Sequence, residues 1–75
     1  MGMVHLQGVG RVPAIEAGDL QAGMVTVWNY GYREQIITIE PRGEKQIKVW
    51  LVSLRNGEKF TRVLNKSRLV AIDEA

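Results

Sequence analysis

Residues 49–64 read Val49-Trp50-Leu51-Val52-Ser53-Leu54-Arg55-Asn56-Gly57-Glu58-Lys59-Phe60-Thr61-Arg62-Val63-Leu64. Two apolar, strand-like runs flank the pair Asn56-Gly57. These two residue types accept the positive φ angles that a two-residue type I′ turn requires at both central positions, and that turn matches the twist of paired strands. The stretch therefore predicts a β-hairpin, and the hairpin favours an all-β fold.

The size of the chain allows one small domain. Its 75 residues include no cysteine and a single histidine, and a chain this short buries only roughly 60% of the surface that it would expose when unfolded. Without cysteine it has neither a disulfide nor a thiolate zinc site, and His5 has no companion ligand. We therefore expect no metal or cofactor, and stability from packing or oligomerisation.

The hydropathy of the chain argues against a membrane partner. No apolar run approaches the ~20 residues that span a bilayer, and the start lacks the basic stretch and apolar stretch of a secretory signal. We expect a cytoplasmic protein.

Charge is distributed unevenly along the chain. The net charge is +2, from ten basic and eight acidic residues. Residues 31–70 hold nine of the bases and four of the acids, which makes this part +5. The balance only mildly favours an anionic partner, and a solvated strand surface explains it more simply.

Alternating apolar residues and turn signals divide the rest of the chain. A compact turn is expected over 14–23 and a single helical turn over 65–67. The predicted strands are Met24–Trp28, Gln35–Glu40, Gln46–Leu54, Lys59–Leu64 and Leu69–Ile72.

The alternation also predicts which strand faces are buried. In the third predicted strand Ile47, Val49 and Leu51 form an aliphatic face that belongs inside. In the second, Ile37 and Ile39 share one face while Ile36 and Thr38 share the other. The fourth strand is apolar on both faces, which calls for a bulge or for burial on both sides.

The chain resembles an SH3-like small β-barrel, of the KOW type or the type found in translation factors. Asp19-Leu20-Gln21-Ala22-Gly23-Met24-Val25 is similar to the Asp-Leu-Lys-Pro-Gly-Asp-Val opening of such barrels, although Ala22 replaces the proline and Met24 the second acid. Lys66-Ser67-Arg68-Leu69-Val70 is similar to the last segment of such barrels. The resemblance implies a single five-stranded barrel over residues 14–72, preceded by a flexible or edge-pairing arm over 1–13 and followed by a tail over 73–75.

A second resemblance concerns origin. Val27-Trp28-Asn29-Tyr30-Gly31, followed by Thr61-Arg62 and by Arg68-Leu69-Val70-Ala71, is similar to small uncharacterised proteins of bacteriophages that infect actinobacteria. It implies a bacteriophage protein and brings no known activity with it.

The residues that catalysis needs are not arranged for it. Covalent or acid–base catalysis requires a nucleophile beside a base, or two carboxylates in contrasting environments. Here His5 stands alone in a Gly-rich segment, and the carboxylates lie mostly in turns beside basic residues. We expect no catalytic residues, and so a non-enzymatic protein.

A binding surface remains, and its aromatic residues indicate where it lies. If Val49 and Leu51 point inward, Trp50 points outward beside Lys48, unless the N-terminal arm covers it. Trp28 is expected in the core and the two tyrosines on the surface. The candidate binding residues, including two cations for phosphate or carboxylate, are Tyr30, Tyr32, Arg33, Lys48, Trp50 and Arg62.

Two functions fit such a surface. The preferred one is a protein-interaction module that docks on a partner, or on itself, through exposed aromatics and a strand edge, because apolar residues exceed what a small core consumes. The residues in excess are Ile36, Val52, Leu54 and Val63. The alternative is a nucleic-acid-binding barrel whose basic strands follow phosphates. A structural component of a larger assembly, such as a virion, ranks below both.

Overall fold

The computed structural model describes residues 2–73, and these residues form an all-β domain without an α-helix. Two 3-10 turns, Ala17–Asp19 and Asn29–Gly31, connect the strands. The strands in chain order are β1 (Gly2–Leu6), β2 (Gly10–Glu16), β3 (Val25–Val27), β4 (Arg33–Arg42), β5 (Gln46–Ser53), β6 (Lys59–Asn65) and β7 (Leu69–Ala71).

The strands form two antiparallel sheets rather than a closed barrel. One sheet has the order β1-β2-β7 and the other the order β3-β4-β5-β6. A single bridge between Thr26 and Ile72 joins them, so β1 and β6 are the outer strands. The prediction of an all-β domain is confirmed, but the prediction of five strands is wrong, because the described part of the chain has seven.

The additional strands come from the N-terminal segment. Residues 2–13 of the predicted arm form β1 and most of β2, which pair from Gly2 with Ala14 to Leu6 with Gly10. β2 then continues past residue 14 and pairs with β7. The segment is thus a strand hairpin, and of its residues only Met1 lies outside the described range. Of the predicted tail, residue 73 is described and residues 74–75 are not.

The core is built on the aliphatic face of β5, as its alternation predicts. Ile47, Val49 and Leu51 are buried, with exposed fractions of 6%, 1% and 1%. The buried residues that pack with them are Ala17, Leu20, Ile36, Leu64 and Val70.

A β-bulge in β4 corrects the predicted faces of that strand. Ile36 pairs with Leu51, and the next paired residue, Thr38, faces Trp50, so Ile37 is the extra residue. A bulge moves every later side chain of its strand to the other face. Ile36 is therefore buried, Ile37 is 46% exposed, and Ile39 packs against the core from the same side as Ile36.

β6 has neither the bulge nor the burial on both faces that its apolar residues predict. Its register with β5 is continuous from Val52–Lys59 to Gln46–Asn65, without a bulge. Leu64 is buried and Phe60 packs against the core, whereas Val63 on the other face is 42% exposed. The apolar residues that exceed what a small core was expected to consume differ in burial. Ile36 belongs to the core, Val52 is half-buried, and Leu54 is exposed.

The β5–β6 hairpin is confirmed, but its two-residue turn is wrong. The Ser53 N–H donates to the Glu58 carbonyl oxygen at 2.8 Å, so four residues, 54–57, form the loop. Only Gly57 has a positive φ, +75°. The Asn56 side chain instead accepts a hydrogen bond from the Glu58 N–H at 3.0 Å, an arrangement that asparagine commonly adopts in turns.

The remaining connections are short. Residues 66–68 form a turn at the place where a single helical turn is predicted, closed by a hydrogen bond from the Arg68 N–H to the Asn65 carbonyl oxygen at 3.0 Å. Gly23 has a φ of +93° before β3. Within residues 2–73 there is no helix long and apolar enough to cross a membrane.

Candidate functional site

A groove lies where strands of the two sheets approach the turn at residues 29–31. Its cavity volume is about 550 Å³. β1, β6 and β7 contribute to its walls, together with the end of β3. The side chains that define it are Leu6, Trp28, Tyr30, Tyr32, Arg62 and Arg68.

Tyr30 is held in an uncommon conformation at the corner of this groove. Its φ of +64° and ψ of +15° lie in the left-handed region, which is rare for a residue with a bulky side chain. The Tyr30 N–H donates to the Gln7 carbonyl oxygen at 2.6 Å, and the Gln7 N–H donates to Asn29 Oδ1 at 3.0 Å. The β1–β2 turn therefore holds Tyr30, and the tyrosine remains 62% exposed.

Gly8 makes this corner possible. Its φ is +76°, and a Cβ atom at this position would lie 2.6 Å from Tyr30 Cδ1. Only glycine combines that φ with the close approach of the tyrosine ring. The groove therefore depends on the N-terminal hairpin as well as on the four-stranded sheet.

Arg62 and Glu34 form an ion pair at the base of the groove. Arg62 Nε lies 3.1 Å from Glu34 Oε1 and Nη2 lies 3.2 Å from Oε2. The Arg62 guanidinium carbon is also 3.9 Å from the centre of the Trp28 ring. The Glu34 side chain is 8% exposed and that of Arg62 is 35% exposed. This bidentate contact fixes the arginine against the indole.

Trp28 borders the groove instead of lying inside the core. It is half-buried, and packs against the core cluster. Its Nε1–H donates to Thr26 Oγ1 at 2.9 Å, and the Thr26 hydroxyl donates to the Glu34 carbonyl oxygen at 3.2 Å. Arg68 approaches the same ring at 5.8 Å. The indole is thus oriented by a hydrogen bond and by two guanidinium groups.

A second cavity of about 570 Å³ continues the groove on the other side of the tyrosines. Tyr30 and Tyr32 line both cavities. The Arg55 guanidinium lies 5.2 Å from the Tyr32 ring. Arg33 lines the second cavity and is paired with Asp73 through a contact of 2.8 Å. Both cavities together are named the tyrosine groove below.

The lining of the tyrosine groove is basic. Among the described residues, no aspartate or glutamate lines either cavity. Glu34 and Asp73 contact the arginines from outside the lining. The basic side chains in the lining are His5, Arg33, Arg55, Arg62 and Arg68.

The structure separates the six predicted binding residues into two groups. Tyr30, Tyr32, Arg33 and Arg62 line the tyrosine groove. Lys48 and Trp50 alternate along β5 with the buried core residues and so lie on the outer face of the four-stranded sheet, with Lys48 Nζ 4.9 Å from the Trp50 ring. They do not form one surface with the others.

An alternative prediction from the sequence is that the N-terminal arm covers Trp50. β1 instead packs against β2, β7 and the turn at residues 29–31. Val4 and Leu6 line the tyrosine groove, near Trp28. Trp50 itself is half-buried.

Sequence reasoning missed Arg55 and Arg68 as groove residues. Arg55 stands in a loop that was expected to be a two-residue turn, and Arg68 reaches the groove because β7 pairs with the N-terminal hairpin. Arg55 approaches the Tyr32 ring and Arg68 the Trp28 ring only through the folded structure, so the sequence around these arginines gave no signal for the contacts.

The placement of the His, Asp and Glu side chains bears on metal binding. Within 2–73 no group of three or more His, Asp or Glu side chains is placed to hold a metal ion. The buried side-chain nitrogen and oxygen atoms of this part of the chain all have hydrogen-bond partners. The site is therefore defined by its aromatic and guanidinium groups.

Comparison with known proteins adds no assignment: no protein-family model matches the chain, and no curated protein matches it significantly.

Proposed function

We propose that the protein is a non-enzymatic protein-interaction module whose tyrosine groove binds an extended, acidic segment of a partner protein. The observation that carries the proposal is a groove with exposed tyrosines and several arginines whose described lining contains no carboxylate. Tyrosine, tryptophan and arginine are the residues that dominate binding energy at protein interfaces.

The form of the groove supports an extended ligand. The two cavities, of about 550 and 570 Å³, meet at Tyr30 and Tyr32. Each is large enough for several side chains, and together they offer consecutive subsites on either side of the tyrosines. An extended peptide fills such subsites with successive residues.

The charge of the groove supports an acidic ligand. Arg68 and Arg55 contact aromatic rings, which leave their N–H groups available to a carboxylate. Arg33 and Arg62 already have carboxylate partners. The groove therefore has a limited number of free cations, which suits a few acidic side chains.

A nucleic acid is the second candidate, favoured by the same combination of tyrosine rings and arginines. Single-stranded nucleic acids bind to basic grooves in which aromatic rings stack on bases. The pairing of Arg33 and Arg62 with carboxylates, and a net charge of only +2, place this candidate second. The SH3-like relationship, the bacteriophage origin and the cytoplasmic location belong to the proposal as well. The meander β3 to β6, followed by a short turn and β7, supports the first of these.

Fluorescence anisotropy tests the proposal with three labelled probes. They are a randomised library of acidic decapeptides that contain apolar residues, the same library with lysine in place of each acid, and single-stranded oligonucleotides of matched length. We expect binding of acidic peptides that Tyr30→Ala and Arg68→Ala weaken, while Trp50→Ala, the control on the outer face, leaves it unchanged.

Two results would decide against the peptide. Salt-dependent binding of the oligonucleotides alone would assign the groove to nucleic acids. Equal binding of the acidic and lysine libraries, or no binding at all, would overturn the charge argument.

A further inference from the structure

β1 presents an unpaired strand edge. Gly2–Leu6 pairs along one side with β2. Outside the β1–β2 hairpin, no backbone hydrogen bond joins Gly2–Leu6 to another described element. The backbone N–H and C=O groups on the second side of β1 therefore have no strand partner within residues 2–73.

This edge also lacks the features by which proteins protect edges from pairing. Exposed edges usually carry charged side chains, proline or a bulge. Gly2-Met3-Val4-His5-Leu6 contains neither a lysine nor an acid nor a proline, and its register with β2 is regular. The other outer strand, β6, carries Lys59 and Arg62. The two outer strands thus differ in protection, and β1 is the open one.

We propose that β1 pairs antiparallel with β1 of a second copy of this chain, about a two-fold axis at Val4. The result is a continuous six-stranded sheet, β7-β2-β1 of one copy followed by β1-β2-β7 of the other. Such an interface is isologous, with the same residues on both sides. Backbone hydrogen bonds between added strands supply the affinity.

The side chains of β1 fit this register. Val4 faces its own copy, Gly2 faces Leu6, and Met3 faces His5. The half-buried residues Gly2, Val4 and Leu6 stay on one face, and the exposed residues Met3 and His5 stay on the other. No two acids or lysines meet across the axis, so no like-charge pair opposes the contact. A second copy is the occupant that this symmetric pattern fits.

Sedimentation of the untagged chain tests the proposal. A five-residue strand pair is a small interface, so we expect a monomer–dimer equilibrium between about 10 µM and 1 mM. The variant M3K/H5K places lysine opposite lysine across the axis and should be monomeric throughout this range. The variant M3E/H5K places glutamate opposite lysine at both positions and should dimerise again.

A matched control uses the other outer strand. T61K/V63K adds two lysines to exposed positions of β6 and should dimerise as the original chain does. If M3K/H5K fails to fold, as judged by circular dichroism, amide hydrogen exchange of the original chain gives the answer: exchange at residues 3–6 should slow as concentration rises.

Three results would overturn this inference. They are a monomer at all concentrations with unchanged exchange, a dimer that M3K/H5K leaves intact, and a dimer that only T61K/V63K disrupts. Each leaves the tyrosine groove proposal standing, because peptide binding is read from the labelled probe and does not require pairing at β1.

Discussion

Arg62 on β6 and Glu34 on β4 form a bidentate ion pair across the inner side of the four-stranded sheet, with contacts of 3.1 and 3.2 Å. The pair occupies a place where the alternation of β6 directs a side chain toward the core, between Phe60 and Leu64. The nearly buried carboxylate of Glu34 allows an arginine to lie there, and Trp28 covers its guanidinium group.

The first prediction concerns this pair. Arg62→Leu leaves the Glu34 carboxylate without its partner in a nearly buried site, and we expect a loss of about 2–4 kcal/mol in the free energy of unfolding. The double variant E34L/R62L removes both charges and should recover most of that loss. Urea unfolding followed by circular dichroism measures both. A double variant as unstable as R62L would show that the carboxylate is not the cause.

The second prediction tests the bulge in β4. Ile39→Ala removes a side chain that packs against the core, and should cost about 1–3 kcal/mol. Ile37→Ala, at the extra residue, changes a side chain that is 46% exposed, and should cost less than about 1 kcal/mol. The comparison is internally matched, because both residues are isoleucines that a strand without the bulge would place on the same face. Equal costs would contradict the bulge.

The third prediction concerns Gly8. Gly8→Ala imposes both a strained positive φ and a clash with Tyr30 Cδ1, and should cost about 2–4 kcal/mol. Gly43→Ala is the control, because Gly43 has a similar φ of +67° with open space around it. It should cost only about 1 kcal/mol. In a Tyr30→Ala background the difference between the two costs should shrink, because the ring contact is removed while the contact with Tyr30 Cα at 3.3 Å stays. An unchanged difference would argue against the contact with the Tyr30 ring.

The sequence predicts best where one strand alternates over many residues. β5 alternates over eight positions, so its bounds and its buried face follow from the period of two. β4 contains Ile36-Ile37, where two adjacent isoleucines fit either face, and a bulge settles the choice. The bulge depends on pairing with β5 and on core packing, neither of which a single strand's pattern contains.

The N-terminal hairpin escapes sequence reasoning for a different reason. Residues 1–13 show no sustained alternation, so the sequence predicts a flexible or edge-pairing arm and no hairpin. Pairing with β7 and the hydrogen bonds to the turn at residues 29–31 define the hairpin instead. These contacts join segments that are far apart in the chain.

Only part of the candidate site could be predicted from the sequence, because contacts between distant segments also decide which of its residues come together. Tyr30 and Tyr32 follow β3 in a turn, and turn tyrosines are commonly exposed, which the structure confirms. The side on which Arg62 lies depends on the register of β6. That register places it in the tyrosine groove, on the opposite side of the sheet from Lys48 and Trp50.

The two tryptophans allow the most direct test of the tyrosine groove. Trp28 lines the groove, whereas Trp50 lies on the outer face of the sheet. In the variant Trp50→Phe, the emission of Trp28 reports on the groove alone, and in Trp28→Phe the emission of Trp50 reports on the outer face. Titration of both variants with an acidic peptide selected from the library should shift or quench Trp28 emission and leave Trp50 emission unchanged. A response of Trp50 with none from Trp28 would place the binding surface on the outer face and contradict the account.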